Sequence, residues 1–331
     1  MRSAAPARPS RRAGGKAFLL MLAGLLLMPV AGATGTQQRR PLQVDDIFEM
    51  EGIGHAYGGP FAFSADGKSL AFTRLRARKT LLNHQREFLL SNDRADVWMQ
   101  LASGEPVTNL TQGERNASGW WAPQWSADGQ WLAMLSTRDG RVTLWGWRKA
   151  SKQLIQLSER EVELQDYDRP PFVWLSNSQI LLPVASEQPT RAVIESDLEA
   201  TPRLAGAAWR DAAIGERPTV SALYSGKLSS SPQRAQGQLL LIDIKRQQAK
   251  VLANRSTAAW TTAPDGRAVA FARNEGVYVP SPDEPLPLRR ITPTAALATW
   301  SVSIHSSDGA VLVESAGVTQ DVLPESIRWS P

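Results

Sequence analysis

Apolar residues along this chain fall into short runs, and the same turn punctuates them. Residues 61–73 read FAFSADGKSLAFT, an apolar strand, an Asp-Gly turn and a second apolar strand. The pattern returns at 124–136 (QWSADGQWLAMLS) and 262–272 (TAPDGRAVAFA), and more weakly at 304–313 (IHSSDGAVLV). Asp-Gly between apolar strands predicts a tight hairpin, because glycine takes φ > 0 at no steric cost. The Asp side chain bonds nearby turn amides, and the preceding serine does so more weakly.

A second hairpin follows the first in each case. Residues 97–111, 144–158, 239–253 and 277–292 each read as an apolar strand, a polar turn and a further strand. Two hairpins make a four-stranded antiparallel unit of about 40 residues, the length of a propeller blade. The predicted fold class is therefore all-β, a β-propeller of four-stranded antiparallel blades. Its strands are nearly continuous in apolar residues because each blade is covered on both faces by its neighbours.

By this reading blade one spans 61–111, with a polar, basic insertion at 74–93, and blade two spans 122–158. Blade three opens at Phe172 with FVWLSNSQILLPV, where Asn177-Ser178 replaces Asp-Gly, and closes only at 239–253. Blade four is 258–292, blade five runs from about 299 to 322, and Trp329-Ser330-Pro331 opens another. About five blades and the start of one more make an incomplete ring. The insertion around 185–238 reads as irregular, either a lid or partner-binding loop or a solvated excursion.

Residues 1–33 stand apart from this pattern. Arg2, Arg8, Arg11, Arg12 and Lys16 precede the apolar run AFLLMLAGLLLMPV at 17–30, and Ala31-Gly32-Ala33 is a small-x-small site. This is the form of a cleavable signal peptide, with cleavage expected after Ala33. The run is short for a membrane span. A twin-arginine route through Arg11-Arg12 and a retained signal anchor are the alternatives. Residues 34–60 read as a linker and a short helix over 44–52, with Asp45 and Asp46 in the first turn where the helix dipole favours acids. The propeller occupies 61–331.

Export changes the meaning of the charge. The whole chain carries 37 basic and 32 acidic side chains, and loss of the five basic residues above leaves 32 against 32. The sequence pI near 9.7 is then no sign of nucleic-acid binding. The chain has no cysteine, which excludes disulfides, thiolate metal sites and a lipidated N-terminal Cys. The expected location is periplasmic or secreted, with no membrane contact after cleavage. Trp is the commonest aromatic, 12 against 8 Phe and 4 Tyr, which suggests anchors between packed sheets.

Candidate chemistry is sparse. His55, His84 and His305 lie in unrelated contexts without metal-ligand spacing. No Gly-x-Ser-x-Gly elbow, phosphate loop or dinucleotide fingerprint occurs. Asp166, Asp168, Glu161 and Glu163 form an acidic cluster that reads as a solvated inter-blade loop rather than as paired catalytic carboxylates or a Ca²⁺ site. Asn109, Asn116 and Asn254 open N-x-Ser/Thr triplets. No catalytic, cofactor or metal residue is assigned.

The repeat Trp/Phe-Ser-x-Asp-Gly-x-x-Leu-Ala-Phe, followed by Val-Trp or Leu-Trp strands, resembles the propeller of two groups. One is the prolyl oligopeptidase family of serine peptidases, including bacterial dipeptidyl aminopeptidase and acylaminoacyl peptidase types. The other is the TolB-like periplasmic propellers. The opening PLQVDDIFEMEGIG, running into FAFSADGKSLAFTR, is similar to the peptidase propeller entry. Arg217-Pro218-Thr219-Val220-Ser221 before Leu239-Leu240-Leu241 resembles a blade-three excursion of bacterial members, including the lasso-peptide isopeptidase branch. TolB-like proteins place an α/β domain ahead of the propeller, and only about 27 residues separate the cleavage site from the first repeat here.

The resemblance covers residues 41–331. It implies a substrate-gating cap whose Ser-Asp-His triad lies on a hydrolase domain absent from this sequence, so no catalytic residue carries over. The expectations are a truncated or split peptidase without activity of its own, or a stand-alone interaction propeller. Its partners would be a peptide substrate, a separate hydrolase domain or an envelope protein, with no cofactor.

Overall fold

The computed structural model describes residues 40–54, 57–80, 89–164, 170–185, 197–216, 218, 237–254, 257–277, 298–315 and 327–330. The chain divides into two compact units at Gln43/Val44, and the fold below is that of the second. Residues 1–39 lie outside the described residues, and so does the expected leader. No helix among the described residues is long and apolar enough to cross a membrane.

Helix α1 (Val44–Glu49) forms where the acidic first turn predicts it. Its expected apolar side is not buried: Ile47 and Phe48 are exposed. It is tied to the first blade instead by Lys79, which meets Glu49 at 2.9 Å.

Blade one contains β1 (Gly52–Ile53), β2 (Phe61–Phe63), β3 (Leu70–Leu75), β4 (Ala95–Gln100) and β5 (Thr108–Asn109). β1 and β2 share one edge of β3, at Gly52↔Leu75 and Phe61↔Phe72, so the innermost strand is split in two. Blade two is β6 (Trp120–Trp125), β7 (Trp131–Ser136), β8 (Thr143–Arg148) and β9 (Gln153–Gln156). Blade three is β10 (Val173–Trp174), β11 (Gln179–Val184), β12 (Gln238–Asp243) and β13 (Gln248–Ala253). Blade four is β14 (Thr257–Thr262), β15 (Ala268–Val277), β16 (Ala298–Ser306) and β17 (Val311–Glu314). All pairings within these sheets are antiparallel and, apart from β1 on β3, join sequence neighbours, the meander of a propeller blade.

The Asp-Gly turns form as predicted, and serine has a larger part than expected. In blade one Gly67 sits at φ 68°, Asp66 Oδ1 accepts from Lys68 N at 3.1 Å, and Ser64 Oγ both donates to Asp66 (2.6 Å) and accepts from Ser69 N (2.9 Å). Blade two repeats this with Ser126, Asp128 and Gly129. The serine hydroxyl and the carboxylate together satisfy the turn's amides, so the motif carries its own hydrogen bonds.

Two expectations about blade boundaries are corrected. The strands at 298–306 and 311–314 complete the fourth sheet and do not open a fifth. β16 pairs along β15 from Ala268↔Ser306 to Val277↔Ala298. The fourth Asp-Gly copy, Asp308-Gly309, therefore closes the outer hairpin of blade four, whereas the other three close inner hairpins. Turn chemistry specifies a hairpin, but not which pair of strands in a blade it joins. The hairpin expected at 277–292 to close blade four lies, from 278 on, outside the described residues. The second correction concerns the insertion, expected to be irregular: it contains α2 (Asp197–Ala213), with Pro202 inside it. Blade three closes across it as expected, with Val184 paired to Gln238.

Aromatic and aliphatic clusters join successive sheets. Ala71, Val97 and Met99 of blade one meet Trp120, Trp125, Leu132, Met134, Trp145 and Trp147 of blade two. Trp120 stacks edge-on to Trp145 (5.4 Å, 70°) and Trp125 to Trp147 (6.2 Å, 82°), contacts worth roughly 0.5–1.5 kcal/mol each beyond the buried area. Blade three meets blade two through Phe172, Ile180 and Leu182. It meets blade four through Leu181, Leu239 and Leu241 against Val269 and Phe271.

One hydrogen bond recurs at these joints. Trp125 Nε1 donates to Ala62 O (3.2 Å), and Trp174 Nε1 to Gln124 O (3.1 Å). Trp329 Nε1 donates to Thr261 O (3.0 Å). In each case the Trp at the motif's lead position reaches the preceding blade, and the acceptor is one residue before the position matching that Trp. Trp329 thus takes the lead-strand place beyond blade four, as its Trp-Ser-Pro sequence predicts.

Candidate functional site

The lead strands alternate, so one side of each blade faces the blade before it. Phe172 and Trp174 use that side in blade three, and Trp125 in blade two. In blade one the same side carries Phe61 and Phe63, which are 54% and 66% exposed where Trp125 is 8% exposed. Among the described residues, no apolar cluster joins this face to another blade.

The face is a built row. Phe61 pairs with Phe72, Phe72 with Trp98, and Trp98 with Asn109, so four side chains cross the sheet on one side. The Phe61 and Phe72 rings lie 6.3 Å apart. The next row places Ile53, Arg74 and Asp96 together. The Arg74 guanidinium lies 4.8 Å from the Trp98 ring centre and pairs with Glu51. A cavity of about 120 Å³ opens here, lined by Glu51, Arg74, Arg76, Asp96, Trp98 and Asn109 among others.

The cavity floor is fixed by Asp96. Its side chain is buried and faces the Arg76 guanidinium at 3.2 Å. It accepts from Asn109 Nδ2 (3.1 Å), Thr111 Oγ1 (2.9 Å) and the Gly113 amide (2.6 Å). Arg76 also donates to the carbonyls of Asp93 and Ser118, so one buried pair ties blade one to the segment entering blade two. That entry is close: a Cβ at Gly119 would lie 1.9 Å from Asn92 O. The site places aromatic rings and an arginine at a sheet face, with the Asp96 carboxylate buried beneath them.

The residues singled out from sequence are not gathered here. His305 lies on β16, buried in the joint between blades three and four, its ring 4.9 Å from Phe271. His55, His84, Asp166 and Asp168 lie outside the described residues. Glu161 and Glu163 flank the Val162↔Val184 bridge, which links the end of blade two to β11. Glu161 is buried, and a Cβ at Gly237 would meet the Glu163 carboxylate at 2.2 Å, so these acids sit within packed structure and not on the solvated loop expected. No group of three or more His, Asp or Glu that could hold a metal occurs among the described residues. Sequence reasoning missed the face of blade one. The signal was present in Phe-Ala-Phe at 61–63, but alternation alone does not tell a covered face from an open one.

No family model and no curated protein matches this sequence. Solved structures similar to it include TolB from Acinetobacter baumannii, 15% identical over 78% of this chain and 42% of that one, with a TM-score of 0.36. Puromycin hydrolase is 14% identical over 80% of this chain and 29% of that one, TM-score 0.42. Pyrococcus horikoshii acylaminoacyl peptidase is 9% identical over 78% and 32%, TM-score 0.36. The chain spans less than half the length of each.

Proposed function

We propose that this chain is an exported propeller module that acts by contact with polypeptide and has no catalysis of its own, as the substrate-gating cap of a prolyl oligopeptidase-type serine peptidase. The observation that supports a contact role is the aromatic face of blade one, uncovered where the same positions in blades two and three pack on a preceding blade. The peptidase assignment draws on the motif resemblance, from the entry VDDIFEMEG through the Trp-Ser-Ala-Asp-Gly repeat. The second reading, a stand-alone TolB-like periplasmic interaction propeller, shares that face and differs in its partner.

A photo-crosslinking residue placed at Phe63 tests both. Capture in the producing cell of a polypeptide bearing a Gly-x-Ser-x-Gly elbow supports the gating role, and stoichiometric capture of a non-hydrolase envelope protein supports the second. A face that crosslinks to nothing overturns the contact role. Hydrolysis of a peptide p-nitroanilide by the purified chain, blocked by a serine reagent, overturns the absence of intrinsic activity.

A further inference from the structure

The joint between blades three and four is built differently from the other joints. Blade four has Thr262 at the position that holds Trp125 in blade two and Trp174 in blade three, so the indole hydrogen bond between lead strands has no counterpart there. Polar groups occupy the same joint. Register places His305 opposite Val269, Ser303 opposite Phe271 and Ser301 opposite Arg273. Val269 and Phe271 belong to the cluster that meets Leu175, Leu181, Leu239 and Leu241 of blade three. Ser303 and His305 are therefore buried on the side of blade four that meets blade three, 0% and 5% exposed. Ser303 Oγ and His305 Nδ1 have no hydrogen-bond partner, an arrangement that costs about 1–3 kcal/mol for each group.

We propose that this joint is the point at which the propeller opens, and that protonation of His305 loosens it. The cationic imidazole gains no acceptor at Nδ1 and loses hydration. The charged groups around it come from three elements: Arg273 on β15, Glu314 on β17 and Lys250 on β13 of blade three. Glu314, the one anion of the three, already pairs with Arg273, and Lys250 spans the joint to Asp308 O at 2.9 Å. Burial first, and then Arg273, hold the His305 pKa below its ordinary 6.5. An opened joint restores the ordinary value. Above about pH 6.5 both states are neutral and closure is unaffected. As pH falls below it the open state binds the proton first, so closure weakens down to the depressed pKa of the closed state. One proton changes the opening equilibrium by at most about tenfold per pH unit. The inference is independent of what blade one contacts.

Hydrogen exchange and proton NMR on the full chain test this. With three histidines in the sequence, the His305 ring signal is assigned by its loss in His305→Phe. It is expected to titrate with a midpoint below 6.5. After correction for intrinsic exchange chemistry, amides of β15 and β16 are expected to open faster between pH 7 and 5, while those of β7 and β8 hold. His305→Phe is expected to flatten that profile. A midpoint at or above 6.5, an equal loss of protection in all four blades, or an unchanged profile in His305→Phe overturns the proposal. If His305→Phe does not fold, His305→Gln supplies the assignment, and the parent's titration and its blade-by-blade exchange decide.

Discussion

Matched substitutions at Trp125 and Phe63 measure how much a neighbouring blade contributes. Both residues stand three positions before the turn aspartate of their blades, so they are equivalent in sequence. Trp125 is 8% exposed, is edge-on to Trp147 and donates to Ala62 O, whereas Phe63 is 66% exposed. Trp125→Ala removes a buried indole and leaves the cavity with few means of collapse, a cost of about 3–5 kcal/mol. Trp125→Phe keeps most of the ring volume and loses the hydrogen bond, about 1–2 kcal/mol with the carbonyl left unpaired. Phe63→Ala removes a ring with about a third of its surface covered and is expected to cost about 1 kcal/mol or less. Urea unfolding, with the folded and unfolded baselines fitted separately for each variant, gives the three values. A Phe63→Ala cost equal to that of Trp125→Ala would show that another sheet covers blade one in solution. A Trp125→Ala cost under about 1 kcal/mol would refute the inter-blade role of the tryptophan.

Two further outcomes follow from buried and turn charges. Asp96→Ala leaves the Arg76 guanidinium buried without its counter-charge and the Gly113 amide without its acceptor. It is expected to cost about 3–5 kcal/mol, with Asp96→Asn milder, again by urea unfolding. Asp66 and Asp308 are held below the ordinary carboxylate value of 3.8, first by the hydroxyls of Ser64 and Ser306 and then by backbone amides. Their contribution to the hairpins is present above pH 3.8 and is lost as pH falls through the lower folded value. Carboxyl carbon shifts titrating at or above 3.8 would contradict this.

The repeat was legible because its signal is local. Asp-Gly at 66–67 and 128–129, with serine two positions earlier, closes its own hydrogen bonds within six residues. Alternation then fixes which side chains share a face. That suffices for hairpins, four-stranded sheets and tryptophans between sheets. It did not suffice for Asp308-Gly309, whose hairpin is equally good on the inner or outer half of a blade. Only the pairing of β16 along β15 assigned it to the outer half.

Sequence by itself therefore determined the hairpin turns, blades one to three and the lead-strand tryptophans, and it misassigned the strands at 298–314 to a fifth blade. Tertiary structure decided that Phe61 and Phe63 stand open while Trp125 and Trp174 are engaged, that Asp96 anchors Arg76 across to blade two, and that His305 is sealed in a joint without the indole hydrogen bond. The physical reason is range. A turn or an alternating strand is specified by residues a few positions apart. Whether a sheet face is covered depends on another sheet tens of residues away, and nothing in the face's own residues records that contact.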